Sequence, residues 1–214
     1  MLKYFWTTTY QHPGLYEYVC YQHLAYQAPR VLSAFLIEQV VKAQEAVAKL
    51  KILEIGAGSG LTARVLSALG VTSITGIDLC PEAAKAAQRE APNLYSDYHV
   101  TDFAQIKPAI YQELKNKDFN CLVCCSALPA IPVSAFANAI NLIRFNGWLV
   151  FNVKKDIWDD NSATGFAQLH PWVVDNNVFE QRAQLFSIRR YTTFKQPVEE
   201  IIVIGTKKND IIPN

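Results

Sequence analysis

The sequence predicts a doubly wound α/β fold: a mostly parallel seven-stranded sheet that ends in an antiparallel hairpin. Three observations carry this expectation. From Leu50 onward, short apolar runs alternate with stretches of helical periodicity, the rhythm of parallel strands joined by right-handed crossovers. A glycine-rich turn, LEIGAGSGLT, follows the first of those runs. After the fifth run the alternation stops, and two strand-like segments succeed one another across a short turn.

The elements follow in order. Residues 1–29 hold six of the ten tyrosines but only two charged residues, Lys3 and Glu17. Residues 31–50 carry an amphipathic helical pattern, with Leu32, Phe35, Leu36, Val40, Ala43, Val47 and Leu50 on one stripe. Together these form an expected helical cap, 1–49, on a core of 50–206, all within one domain of 1–214. LKILEIG reads as the first strand and LTARVLSALG as a helix that Gly70 ends. TSITGID is the second strand, and Pro81 opens the helix PEAAKAAQRE. LYSDYHV and KPAIYQELKNK form the third pair, and FNCLVCC and VSAFANAINLI the fourth. Asn146-Gly147 is expected to turn the chain into GWLVFNV, which an insertion over 154–177 follows. FEQRAQLFSIRRYTTF and VEEIIVIGTKK make the closing hairpin, with its turn around Lys195–Pro197.

Composition narrows the function. A chain of 214 residues, half of them hydrophobic and 18% charged, has the profile of one globular domain. Its formal net charge of +1 gives no general attraction to nucleic acid or to an anionic membrane. No apolar run approaches the ~20 residues a bilayer demands, and the N-terminus lacks the pattern of a signal peptide, so the protein is read as cytoplasmic. Five cysteines include the run CLVCC, but no second ligand pair stands at zinc spacing. That run is expected to pack in the core, with no metal site.

The glycine turn sits where a parallel sheet binds its ligand, at the carboxyl end of the first strand. A phosphate-binding loop needs Lys and Ser/Thr at the helix start, and the turn instead continues Ser59-Gly60-Leu61-Thr62. A dinucleotide turn needs a small residue where Leu61 stands, although Asp78 lies 22 positions after Gly56. Glu54 repels a pyrophosphate but suits a cationic ligand.

The pattern Glu54, Gly56, Gly58, Gly60 after a strand resembles motif I of class I S-adenosylmethionine-dependent methyltransferases, and the fold implied is Rossmann-like. Asp78 matches that family's acid for the ribose hydroxyls, with Leu79 beside the adenine. Asp102, in HVTDFAQ, matches the acid that accepts from the adenine amino group, with Phe103 following it. Ser126 and Ala127 fall where the family lines the methionine end. The resemblance thus implies a cofactor site of Glu54, Gly56, Ala57, Gly58, Gly60, Asp78, Leu79, Asp102, Phe103, Ser126 and Ala127. Arg30 stands open between the cofactor carboxylate and a surface acid. The segments YQHLAYQAPRVLSAFL and ALPAIPVSAFANAINLIRFNGWLVFNVKKD also resemble the methyltransferase-like proteins named for the Williams–Beuren syndrome region. Leu-Pro here replaces an acid-Gly pair, and Phe-Asn-Gly replaces Lys-Pro-Gly-Gly.

Against that family's acceptor signatures, Cys125-Ser126-Ala127-Leu128-Pro129 lacks the Asn/Asp-Pro-Pro turn of base methylation and the acid that would hold magnesium. It also lacks the Asp of ribose methylation, the paired glutamates of arginine methylation and the acids of polyamine transfer. What remains is methyl transfer to a small, largely apolar molecule, with no nucleic-acid or membrane partner. Tyr16, Tyr21, Tyr26 or Trp158 are candidates to face the sulfonium. His170, His12 and His23 are candidate acid/bases, and no catalytic residue is assigned. A binding protein of the same fold without turnover is the alternative.

Overall fold

The structure, a computed structural model, describes residues 2–159, 178–192 and 194–211. Strand β1 (Lys51–Ile55) starts with the apolar run, and its last four residues are buried. Strands β2 (Ser73–Asp78), β3 (Asp97–Val100), β4 (Phe119–Cys124) and β5 (Ile143–Lys154) lie parallel to it. Strands β6 (Phe179–Tyr191) and β7 (Pro197–Lys207) complete a sheet of seven, in the order β3-β2-β1-β4-β5-β7-β6. The last strand therefore inserts between β5 and β6, antiparallel to both. This is the doubly wound sheet with an antiparallel hairpin that the alternation predicts.

Helices cover both faces, which is why the central strands read as continuous apolar runs. On one face, α3 (Ala28–Lys42) and α4 (Leu61–Ala68) bring Leu32, Leu36, Val40 and Leu66 onto Ile52, Ile74 and Val123. On the other, α6 (Pro108–Lys115) and α7 (Val133–Asn141) bring Leu114, Phe136 and Ile140 onto Leu53, Leu122 and Phe151. Cys121 and Cys124 are fully buried within β4, as expected of core packing, and all five cysteines are free thiols. Gly70 ends α4 as expected. It takes a φ of +98°, its N–H bonds Ser67 O, and Val71 N–H bonds Leu66 O.

Two local expectations are corrected. The helix expected over 31–50 occupies Ala28–Lys42. The chain turns at Gln44, whose φ is +59°, and a 3₁₀ turn, Val47–Lys49, then leads into β1. Ala43 is exposed, while Leu50 is buried at the entry to the sheet. The stripe continues through Val47 and Leu50 because Leu50 is buried and Val47 packs against the same core, not because they share a helix. Asn146-Gly147 is not a turn ahead of the fifth strand but a bulge inside it. Pairing with β4 shifts register between Phe119↔Ile143 and Cys121↔Trp148, and Asn146 adopts a φ of +60° to absorb the extra residues.

The segment ahead of α3 is helical. It comprises α1 (Leu2–Gln11), α2 (Leu15–Glu17) and a π turn, Tyr18–His23. Arg89 Nη2 donates to Tyr10 O at 3.0 Å, and Gly14 N–H donates to Glu90 Oε1 at 3.0 Å. Both bonds fasten this segment to α5 (Pro81–Glu90). The expected insertion begins as the end of β5 and the short α8 (Lys155–Asp159). Its remainder, with His170, lies outside the described residues.

Candidate functional site

Strand order reverses between β1 and β4, the place where an open parallel sheet forms its ligand crevice. The glycine turn leaves β1 there, and Cys125-Ser126-Ala127 leaves β4 beside it. Gly56 has a φ of +71°, and a Cβ at this position would lie 2.3 Å from Ala127 Cβ. Glycine is thus required twice over, by backbone conformation and by the contact between the two strand exits. Gly56→Ala is expected to destabilise the protein by about 2–4 kcal/mol. A shift in the urea midpoint at constant m-value measures it.

The turn is tied to the end of β2. Gly56 and Ala57 N–H both donate to Ile77 O, at 2.8 and 3.0 Å. Asp78 accepts Gly58 N–H on Oδ2 and Cys80 N–H on Oδ1, each at 2.9 Å. Burial raises the Asp78 carboxyl, and the amides of Cys80, Gly58 and Leu79 oppose that rise. Tyr98 Oη donates to Gly58 O at 2.8 Å. Tyr10 Oη lies 2.8 Å from where a Gly58 side chain would begin, so the cap reaches the turn directly.

Glu54, near the end of β1, is only 1% exposed. Tyr95 Oη donates to it at 2.8 Å. Burial pushes the Glu54 carboxyl up to about 8, against the opposing hydrogen bonds of Tyr95 and Thr62. A buried carboxylate disfavours its charge unless a cation or donors compensate it. Residues 56–62 supply no Lys or Arg. The turn therefore offers backbone and carboxylate to its ligand, an arrangement suited to hydroxyls and positive charge and unsuited to phosphates.

On the β4 side of the crevice stand further polar groups. Thr62, in the first turn of α4, is buried, and Tyr26 Oη lies 3.5 Å from Cys125 Sγ. Ser126 has a φ of +55°, and its N–H donates to Asn152 Oδ1 at 2.6 Å. Asn152 Nδ2 donates to Ser126 Oγ and to Glu200 Oε2, both at 2.6 Å. Asn152 and Glu200 are buried, and neither is among the expected site residues. The sequence does mark them: Asn152 interrupts the apolar run GWLVFNV, and Glu200 borders IIVIG.

The remaining candidates divide. Asp102 is exposed and accepts Ala104 N–H at 2.9 Å. It belongs to the same rim, because the preceding Thr101 N–H donates to Asp78 O. Leu79 stands 56% exposed on that rim. Phe103 is buried against the α7 side of the core, and Asn138 Nδ2 donates to its carbonyl. Arg30 is exposed near the start of α3. Tyr16 packs between Trp6 and Tyr10, and Trp158 packs on Phe151. Tyr21, His12 and His23 are exposed. Among the described residues no cluster suited to a metal ion occurs, and no helix is long and apolar enough to cross a membrane.

Comparisons with known proteins bear on the fold. Residues 53–151 match the family model described as a methyltransferase domain. The chain is similar to the magnesium protoporphyrin IX methyltransferase of Synechocystis with bound SAH. Identity is 13%, coverage is 96% of this chain and 99% of that one, and the TM-score is 0.63. It is also similar to the N-methyltransferase NodS of Bradyrhizobium japonicum in complex with S-adenosyl-L-homocysteine. There identity is 15%, coverage 97% and 98%, and the TM-score 0.61. No curated protein matches the chain. At such identities the likeness lies in the fold, and the seven-stranded fold is the one these methyltransferases have.

Proposed function

We propose that the protein binds S-adenosylmethionine and transfers its methyl group to a small-molecule acceptor. The observation that carries this reading is the pairing of Glu54 and Asp78 with a cation-free glycine turn at the β1/β4 switch point. The match of 53–151 to a methyltransferase domain supports it, as do two structural relatives solved with S-adenosylhomocysteine.

The residues present fit the cofactor. Asp78 keeps a lone pair on each oxygen for the ribose hydroxyls, with Leu79 beside the adenine and Asp102 at its amino group. Gly56, Ala57, Gly58 and Gly60 provide the cradle, while Ser126 and Ala127 border the methionine end. Glu54 supplies negative charge beneath a cationic ligand. Bound there, S-adenosylmethionine brings an activated methyl group on a sulfonium. The protein's own task is to hold the acceptor in line and keep water out. The crevice wall after β4, Ala127 and Ile131, is uncharged, which supports a small, largely apolar acceptor over nucleic acid.

Calorimetric titration tests the reading. S-adenosylmethionine and S-adenosylhomocysteine are expected to bind at micromolar concentrations and NAD not at all. Preference for NAD overturns it. Release of S-adenosylhomocysteine across a metabolite library separates an enzyme from a binding protein of the same fold.

A further inference from the structure

A glycine inside a buried strand marks a place where another group comes close. Gly76 is such a residue, and the parallel register of β1 with β2 sets it directly beside Glu54. Two tyrosines fill the space its side chain would take: Tyr95, ahead of β3, and Tyr98 within it. A Cβ on Gly76 would lie 2.8 Å from Tyr95 Cε1 and 3.0 Å from Tyr98 Cδ2. The Tyr95 ring also reaches the glycine turn, 3.2 Å from where a Gly60 Cβ would stand. The two rings meet edge to face, with centroids 5.1 Å apart.

Held in this slot, the hydroxyls fasten two parts of the same site. Tyr98 Oη donates to Gly58 O, and Tyr95 Oη donates to Glu54 Oε2, each at 2.8 Å. Ala57 O lies 3.4 Å from Tyr95 Oη, too far to compete with the carboxylate. A phenol has one proton to donate, and the bond it makes is charge-assisted only when Glu54 is ionised. The other titratable groups facing Glu54 are Asp78 on β2, Tyr98 on β3, and the thiols of Cys124 and Cys125 at the end of β4. Each of them is neutral or negative, so none offsets a charge on Glu54. The Tyr95 hydroxyl therefore favours the charged form where its titratable neighbours do not.

We infer that Tyr95 is a positioning residue that keeps the buried Glu54 ready to ionise beneath a cationic cofactor. The inference rests on the cofactor reading above and adds to it the residue that sets the charge of the site. Without the hydroxyl, the ionised carboxylate loses its charge-assisted donor, and Glu54 titrates at a higher pH still. A ligand whose positive charge draws on that carboxylate then binds less well at neutral pH. A neutral ligand of the same shape is indifferent to the change.

Tyr95→Phe keeps the ring in its slot and removes only the hydroxyl. The first measurement uses no ligand: unfolding free energies from pH 5 to pH 9.5 for the wild type, Tyr95→Phe, Glu54→Gln and the double variant. A raised carboxyl costs stability as pH climbs to its folded value, so the wild-type decline from Glu54 levels off near pH 8. In Tyr95→Phe the decline is expected to run on for about one further pH unit. In the Glu54→Gln background, removing the hydroxyl is expected to leave the profile unchanged. The second measurement titrates S-adenosylmethionine and the neutral 5′-deoxy-5′-methylthioadenosine at pH 7. Tyr95→Phe is expected to weaken the first about tenfold and the second no more than about twofold. Profiles that level off at the same pH with and without the hydroxyl, a shift that persists in Glu54→Gln, or equal weakening of the two ligands overturns the inference. If the wild type binds neither ligand, the cofactor reading fails, and the pH profiles alone decide the role of Tyr95.

Discussion

Asp78→Ala is expected to lower S-adenosylhomocysteine affinity by about 100- to 1,000-fold, the equivalent of roughly 3–4 kcal/mol. The carboxylate acts twice. It holds Gly58 and Cys80 N–H in place, and its remaining lone pairs are the natural acceptors for a pair of ribose hydroxyls. Alanine removes both functions, leaving two backbone donors at the rim and a turn free to drift from β2. Asp78→Asn keeps one carbonyl oxygen but turns an NH₂ toward a backbone N–H, so an intermediate loss of about tenfold is expected. Equilibrium dialysis of the three proteins, each checked for an unchanged circular dichroism spectrum, gives the comparison. Unaltered affinity in Asp78→Ala would show that the ribose does not lie there.

The second large effect is one of pH. With Glu54 pushed up to about 8 from an ordinary value near 4.5, the folded protein binds this proton more tightly than the unfolded chain. Below about pH 4.5 the group is protonated in both states and imposes no cost. As pH rises toward 8 the unfolded chain ionises while the folded one stays neutral, and stability is lost progressively. Above 8 the loss is complete and flat. Its size is of the order of a few kcal/mol. Glu54→Gln lacks the titration, so the gap in unfolding free energy between pH 5 and pH 8.5 is expected to be smaller in the variant than in the wild type by that amount. A cationic ligand reverses the balance by favouring the carboxylate. Binding of S-adenosylmethionine near pH 7 is therefore expected to release up to one proton, read as a dependence of calorimetric heat on the ionisation enthalpy of the buffer. Identical heats in phosphate and Tris would mean that Glu54 is already charged.

The order of strands and helices was legible in the sequence because a parallel sheet covered on both faces imprints itself as apolar runs at crossover spacing. Glu54, the glycine turn and Asp78 were legible for a related reason: each sits at a strand end, and strand ends are where the pattern breaks. What sequence missed depends on pairing across distance. Asn152 and Glu200 are 48 residues apart, and only the insertion of β7 beside β5 brings them together. Periodicity also misled where two uses of apolar residues ran in phase. Val47 and Leu50 continue the stripe of α3, yet one opens a 3₁₀ turn and the other leads into the sheet. Phe103 shows a third limit. An aromatic next to a rim acid looks like a ligand wall, but its ring points into the core against α7, where Asn138 Nδ2 holds Phe103 O at 2.9 Å.

The placement of β7 between β5 and β6 also bears on how the molecule is made. A ribosome delivers the parallel strands first and the inserted strand last among the seven. Until residues 197–207 emerge, the backbone from Trp148 to Lys154 is an open edge on an otherwise formed sheet, bearing Leu149, Val150 and Phe151. Such an edge is a template for pairing with other nascent chains. Since Glu200 arrives on that same strand, a nascent chain sheds its sticky edge and completes its buried carboxylate cluster in one docking event. Polypeptides stalled before residue 197 would then be aggregation-prone and would leave Asn152 without the carboxylate it bonds.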